Sequence, residues 1–231
     1  KTSNNFPMGT GIASSASSFA ALTGAVLGYF LGQEKLLKEL ESRHPALSAL
    51  CRRGSGSASR SLSGPFVEWH DREARVLESL KWKLFDTIVI FSKEHKKVPS
   101  SEGHKSATSS PLFQERAPKI AMRVELIKSA IASKDIHGLG KLIEQEALEL
   151  HEIARTGNPS IVYSTPESRI FTHSLGQLKN RDFYFTLDAG PNVHIISDRP
   201  VQKDIEKLLH DWGLKAEIWL DESGSGLKVE T

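Results

Sequence analysis

Apolar and polar positions alternate along this chain with two periods, and the switches between them mark its elements. Residues 14 to about 32 are apolar nearly all round, which predicts a helix covered on several sides and packed through its alanines and glycines. Residues 33 to about 50 continue as a more polar helical segment, broken at His44-Pro45. Residues 52–64 read as a loop or helix start, and residues 65–69 as a short strand. The run Phe85-Asp86-Thr87-Ile88-Val89-Ile90-Phe91 is β-branched and aromatic apart from Asp86, so it predicts a buried strand. The uneven, polar stretch 92–110 predicts a loop. Helical spacing returns over residues 111–132, where Ile120, Val124, Ile127 and Ile131 share a face, and again over 136–155. Pro166-Glu167 opens a further helix that runs to about residue 179. Strands at 183–188 and 193–196 flank the turn Ala189-Gly190-Pro191-Asn192, a helix covers 200–214, and a last strand covers 216–220. This order predicts an α+β fold with an antiparallel sheet.

Composition narrows the picture in a few places. No residue from Thr2 to Gln33 is charged, which raises a membrane helix or signal segment for residues 19–31. That run is about 13 residues long against the roughly 20 needed to cross a bilayer, so a buried helix is the favoured expectation and no membrane partner is expected. At 231 residues the chain has room for two modest cores, expected over residues 1–80 and 81–231. A net charge of +2 is too small to imply nucleic acid, so useful positive charge has to be concentrated in a site. The lone cysteine, Cys51, excludes an internal disulfide framework and points to a reducing cytoplasm. Arg52 and Arg53 beside it would favour a reactive thiolate; a small buried hydrophobe is the commoner role. The histidines show no metal-ligand spacing.

Two segments carry chemistry. Asn4-Asn5-Phe6-Pro7-Met8-Gly9-Thr10-Gly11-Ile12-Ala13-Ser14-Ser15-Ala16 runs a small-residue turn into a helix start, the arrangement in which backbone amides and a helix dipole surround a phosphate. An ordinary helix cap at Ser14 or Ser15 would look the same. Arg52-Arg53-Gly54-Ser55-Gly56-Ser57-Ala58-Ser59-Arg60-Ser61 adds hydroxyls and basic groups suited to an anionic substrate, or else a solvated loop. Asp188 ends a strand at a tight Gly-Pro turn, a rigid mount for a carboxylate, although such an aspartate often only accepts turn hydrogen bonds.

These segments, in this order, resemble the diphosphomevalonate decarboxylases of the GHMP kinase superfamily: Asn4-Asn5-Phe6-Pro7 with Gly11-Ile12-Ala13-Ser14-Ser15-Ala16, then the block from Arg53 to Leu62, then Asp188-Ala189-Gly190-Pro191-Asn192. The stretch Ser106-Ala107-Thr108-Ser109-Ser110-Pro111-Leu112-Phe113 resembles the family more weakly. Met8-Gly9-Thr10 stands where the family usually has Thr-Ala-Ala. The family's N-terminal strands, with their Lys-Tyr-Trp-Gly-Lys type motif, have no counterpart here, which would leave one face of the residue 14–32 helix uncovered.

The resemblance implies a two-domain α+β fold: an incomplete ribosomal-protein-like phosphate-binding part and a ferredoxin-like C-terminal part, with the active site in the cleft between them. It implies ATP and Mg²⁺, mevalonate diphosphate as substrate, and isopentenyl diphosphate as product after phosphorylation of a tertiary hydroxyl. Gly11, Ala13, Ser14 and Ser15 would hold the ATP phosphates, with Ser14 reaching Mg²⁺. Ser55, Ser57 and Arg60 would bind substrate, and Asp188 and Arg60 would be the catalytic pair. Ser100, Ser101 and His104 are weaker candidates for closing over ATP. A cytoplasmic homodimer is expected. Two rivals stay open: a related mevalonate or phosphomevalonate kinase or decarboxylase, and a non-catalytic anion-binding remnant.

Overall fold

The computed structural model describes residues 3–42, 45–77, 79–95, 98 and 100–229, with the side chains of Ser100 and Ser101 outside that description. The chain forms two compact units. The first comprises Lys1–Gly9, Ala13–Trp82 and Ser223–Thr231; the second comprises Thr10–Ile12 and Lys83–Glu222.

In the first unit, α1 (Ser14–Leu31), α2 (Gln33–Glu41) and α3 (Pro45–Arg52) precede a 3₁₀ turn (Gly56–Arg60) and a hairpin of β1 (Val67–His70) and β2 (Glu73–Val76). The hairpin's second strand is absent from the sequence expectation. His44, at the expected break before α3, lies outside the described residues. Ala20, Cys51, Ala58 and Leu62 form the small core, with Leu40, Leu47 and Leu227 packed on it. Cys51 is fully buried and burial pushes its thiol pKa up, so it serves as a small hydrophobe. The chain's final segment returns here, Leu227 N–H donating to Leu62 O at 3.1 Å.

The expected all-round burial of α1 is not met. Ala16, Ala20 and Gly24 are buried, while Leu22, Val26, Tyr29 and Phe30 are exposed, Tyr29 by 84%. The small residues form one narrow stripe that lets α1 approach its neighbours closely, and the large apolar side chains point elsewhere. By length and composition α1 would also suffice to cross a membrane, although its small-residue stripe packs into this unit's core.

In the second unit β3 (Phe85–Ile90), β4 (Phe183–Leu187), β5 (Val193–Ser197) and β6 (Glu217–Glu222) form an antiparallel sheet in the order β4-β5-β3-β6. Numbered within the unit this is the 4-1-3-2 order of a ferredoxin-like βαββαβ fold. The long first crossover holds α4 (Ser100–Ala107), α5 (Pro111–Arg116), α6 (Ile120–Ser133), α7 (Ile136–Thr156) and α8 (Pro166–Gln177); α9 (Gln202–Asp211) forms the second. The expected loop at 92–110 thus contains a helix, whose polar composition hid it from an apolar-period reading. The expected helix over 111–132 is two, separated by a 3₁₀ turn at Ala117-Pro118-Lys119, because proline supplies no N–H to the helical ladder.

The core lies on one sheet face, where Val89, Phe185, Val193 and Ile195 meet Phe171 and Leu175 of α8 and Ile205 of α9. Because side chains alternate along a strand, Asp86 and His194 project from the opposite face. There His194 Nδ1 lies 2.7 Å from Asp86 Oδ2. Burial pushes the imidazole pKa down, but the hydrogen bond and charge of Asp86, with the charges of Asp188 and Asp221, raise it overall. A raised folded-state pKa contributes stability that is fully present below the unfolded value of about 6.5 and is lost as pH rises through the folded value. Melting temperatures recorded from pH 5.5 to 8.5 should therefore show wild type losing its advantage over His194→Gln as pH increases across this window; parallel curves would contradict this assignment.

Candidate active site

Ala13, Ser14, Ser55, Arg60 and Asp188 sit at element boundaries. In the phosphate-type turn Gly9, Gly11 and Ala13 adopt φ values of 74°, 79° and 60°. Left-handed residues at alternate positions turn backbone N–H groups toward a common side, an anion-binding concavity. Ala13 is the N-cap of α1 and offers no side-chain cap; its carbonyl accepts the Ala16 N–H at 2.9 Å, so the Ser14 and Ser15 amides are the first-turn donors that this cap leaves to other acceptors. For a non-glycine residue this backbone costs about 1–2 kcal/mol, a local strain at the point where the helix begins. The Ser14 hydroxyl accepts the Gly9 N–H at 3.1 Å and so closes the turn. The Met8-Gly9-Thr10 departure keeps the turn open, because Gly9 accepts the left-handed conformation without a Cβ penalty.

Within the first unit the structure brings three of the predicted serines together. Ser15 Oγ is 3.4 Å from Ser55 Oγ, which is 3.1 Å from Ser57 Oγ. Ser55 lies just before the 3₁₀ turn, and Arg60 closes it. Gly54 and Gly56 are demanded by rings: a Cβ on Gly54 would sit 2.1 Å from Phe19, and one on Gly56 2.9 Å from Trp69. The Arg60 guanidinium lies 5.3 Å from the Trp69 ring centroid, and Arg52 lies 6.0 Å from the same ring. Trp69 thus supports one candidate residue; the sequence showed it only as part of a strand.

Asp188 and Gly11 belong to the second unit. Asp188 follows β4 and is exposed. Its backbone carbonyl accepts Gly190 N–H at 2.8 Å and His151 Nε2–H at 2.9 Å. Burial pushes the His151 pKa down, only partly offset by the Asp188 carbonyl and charge, so the ring is neutral near pH 7. The backbones at Gly11 and Gly190 almost touch; a Cβ on Gly11 would come within 2.4 Å of Gly190 Cα. Asn192, fully buried, completes the turn. Its Nδ2 donates to Thr10 O and Ser92 O, each at 3.0 Å, and its Oδ1 accepts Phe91 N–H at 2.9 Å and Ser92 N–H at 3.1 Å. One amide therefore ties the phosphate-type turn, the end of β3 and the Asp188 turn together. Among the sequence candidates for closing over a nucleotide, the side chains of Ser100 and Ser101 lie outside the described residues, and His104 sits on α4.

The fold is that of the GHMP kinase superfamily, shared with solved decarboxylase structures. Family models narrow this further. The diphosphomevalonate decarboxylase-like N-terminal domain matches residues 1–80, and the mevalonate 5-diphosphate decarboxylase C-terminal domain matches residues 87–222. The chain belongs to the mevalonate 5-diphosphate decarboxylase family. It is 33% identical to a diphosphomevalonate decarboxylase of Candida albicans over 90% of this chain and 59% of that protein. It is 27% identical to a phosphomevalonate decarboxylase of Haloferax volcanii over 95% of this chain and 67% of that one. A solved complex of MDDEF with MVAPP, AMPPCP and magnesium superposes with a TM-score of 0.79 at 29% identity, covering 95% of this chain and 68% of its own. The chain spans about three-fifths of the length of the first curated relatives it matches.

Replacing Asn192 by alanine removes this partner from two N–H donors and two carbonyls in a buried to half-buried setting. Each such group costs about 1–3 kcal/mol when unpaired. Urea unfolding of Asn192→Ala should show a loss on the order of 3 kcal/mol or more; a loss below about 1 kcal/mol would mean that the amide does not hold this junction.

Proposed function

We propose that this chain carries part of the catalytic apparatus of an ATP-dependent decarboxylase acting on mevalonate 5-diphosphate. One observation supports the reading above the others: the Asn192 amide and the Gly11–Gly190 backbone contact tie a phosphate-type turn to the turn bearing Asp188. Phosphoryl transfer depends on positioning and charge neutralisation, and within the second unit such a junction holds Thr10 and Gly11 beside the turn that bears the carboxylate.

In this reading the amides from Gly11 to the start of α1 hold the nucleotide phosphates, with the Ser14 and Ser15 hydroxyls beside them. Mg²⁺, arriving with the nucleotide, would be held by phosphate oxygens and the Ser14 hydroxyl and would neutralise phosphate charge; among the described residues no three His, Cys, Asp or Glu side chains gather to bind a metal. Ser55 and Ser57 hydrogen-bond the substrate's phosphates. Asp188 orients the tertiary hydroxyl and takes its proton as the oxygen attacks the γ-phosphorus and the bond to the ADP oxygen breaks. The new phosphate ester is a good leaving group. Its C–O bond then breaks, the carboxylate's C–C bond supplies the electrons of the alkene, and carbon dioxide and inorganic phosphate leave with isopentenyl diphosphate as product.

Arg60 presents a planar, doubly donating fork to the departing carboxylate, and stacking on Trp69 limits where that fork can point. The domain boundary near residue 80, a cytoplasmic location and a homodimer complete the proposal, the buried lone Cys51 and the family resemblance being their support. The likeness to a phosphomevalonate decarboxylase supports a second reading in which the substrate carries one phosphate fewer.

The test is release of carbon dioxide and phosphate by the full-length protein, given ATP with either mevalonate diphosphate or mevalonate monophosphate. Turnover of the diphosphate is expected, and preference for the monophosphate would select the second reading. Asp188→Asn should lower kcat by at least about 100-fold, since a positioned acid or base contributes roughly 10²–10⁴ in rate. Turnover within a few fold of wild type would remove Asp188 from the catalytic role.

A further inference from the structure

The longest helix of the second unit lies along an exposed strand edge. β4 is one of the two outer strands of the sheet, so among the described residues one side of its backbone has no strand partner. On α7, Gly140, Glu144, Ala147 and His151 fall at the spacing i, i+4, i+7, i+11 and hence on one face. That face meets β4 point by point. The Tyr184 ring lies where a Cβ on Gly140 would be, 2.0 Å from its nearest ring atom. Glu144, whose carboxylate pairs with Arg181, accepts the Phe185 N–H at Oε1 at 3.0 Å. His151 Nε2 reaches the Asp188 carbonyl at 2.9 Å. The helix thereby supplies hydrogen bonds that a fifth strand would otherwise provide.

The last of these bonds falls on the residue assigned to chemistry. The Asp188 carbonyl already accepts Gly190 N–H, so the imidazole uses its remaining lone pair. Two donors from different directions fix the plane of the peptide between Asp188 and Ala189, and with it the direction in which the Asp188 side chain leaves the backbone. A carbonyl can only accept, so Nε2 carries the proton. The Tyr163 ring lies 5.7 Å from the imidazole and holds it in place, its hydroxyl group packed against Gly103 of α4.

We propose that His151 is a positioning residue for Asp188: an imidazole on α7 that holds the carboxylate-bearing turn through the Asp188 carbonyl without touching substrate. The assignment rests on the function proposed above for Asp188. It extends that function to a histidine for which the sequence shows no metal-ligand spacing.

Two substitutions in the full-length protein separate positioning from packing. His151→Phe keeps a ring beside Tyr163 and removes the donor; His151→Gln returns an amide N–H to about the same place. The phenylalanine variant should lose on the order of tenfold to a hundredfold in kcat, with KM for ATP and for substrate within twofold, because a misdirected group affects the reacting geometry more than binding. The glutamine variant should recover most of the loss. Hydrogen exchange of the Gly190 amide, which shares the Asp188 carbonyl, should accelerate in the phenylalanine variant and return toward wild type in the glutamine variant. An unchanged kcat in His151→Phe, or equal losses in both variants accompanied by equal falls in melting temperature, would overturn the proposal. Absence of turnover in the wild type would refute the function rather than the tether; in that case an unchanged Gly190 exchange rate in His151→Phe would overturn the tether on its own.

Discussion

A single buried amide, Asn192, is the constraint on which the second unit's candidate site depends. Asparagine is the smallest side chain that offers both donors and an acceptor in one plane, and here both ends are used. Aspartate would have nearly the same shape, yet it would set a carboxylate oxygen against the carbonyls of Thr10 and Ser92. The buried Thr10 carbonyl and the half-buried backbone groups of Phe91 and Ser92 thereby find partners away from regular secondary structure. The contact also explains why a few residues near the start of the chain belong with a sheet assembled mostly from its second half.

Close backbone approach is the second device. Gly11 against Gly190, and Gly140 against Tyr184, remove side-chain bulk where two elements must meet. At Gly11 the backbone also needs a positive φ, so that glycine meets two demands at once. Along β4 the closeness of α7 makes it possible for Glu144 and His151 to reach strand backbone directly. An edge strand that would otherwise invite pairing with another chain is covered by a helix, and that cover reaches the Asp188 turn.

The first unit solves a different problem with the same residues. Glycines at 54 and 56 leave room for the Phe19 and Trp69 rings, and the adjacent serines at 55 and 57 line up with Ser15. The alternation of glycine and serine is thus both a packing pattern and a chemical one. α1 contributes its amides at one end and its small-residue stripe along its length, while its large apolar side chains remain exposed. That exposure departs from the expectation of an all-round buried helix.

Local physical chemistry made much of this legible in the sequence. The β-branched run at 85–91, the paired strands around Ala189-Gly190-Pro191-Asn192 and the long α7 follow from period and turn chemistry, which act between near neighbours. The phosphate-type turn and the Gly-Ser block were visible for the same reason: their glycines meet conformational demands within a few residues. The helix at Ser100–Ala107 was not visible, since its sequence is polar and carries no apolar period; the hairpin's second strand, which has no buried face, was equally silent. The exposure of α1 also lay beyond the sequence pattern, because burial is a property of neighbours. Above all, the roles of Asn192 and His151 were decided by tertiary structure alone. Asn192 bonds across about a hundred residues to β3 and across a longer interval to Thr10, and His151 meets Asp188 only because α7 lies along β4. A side chain's own neighbours in sequence report its propensity and its period; which carbonyl it will reach is set by the packing of elements whose separation along the chain no local pattern encodes.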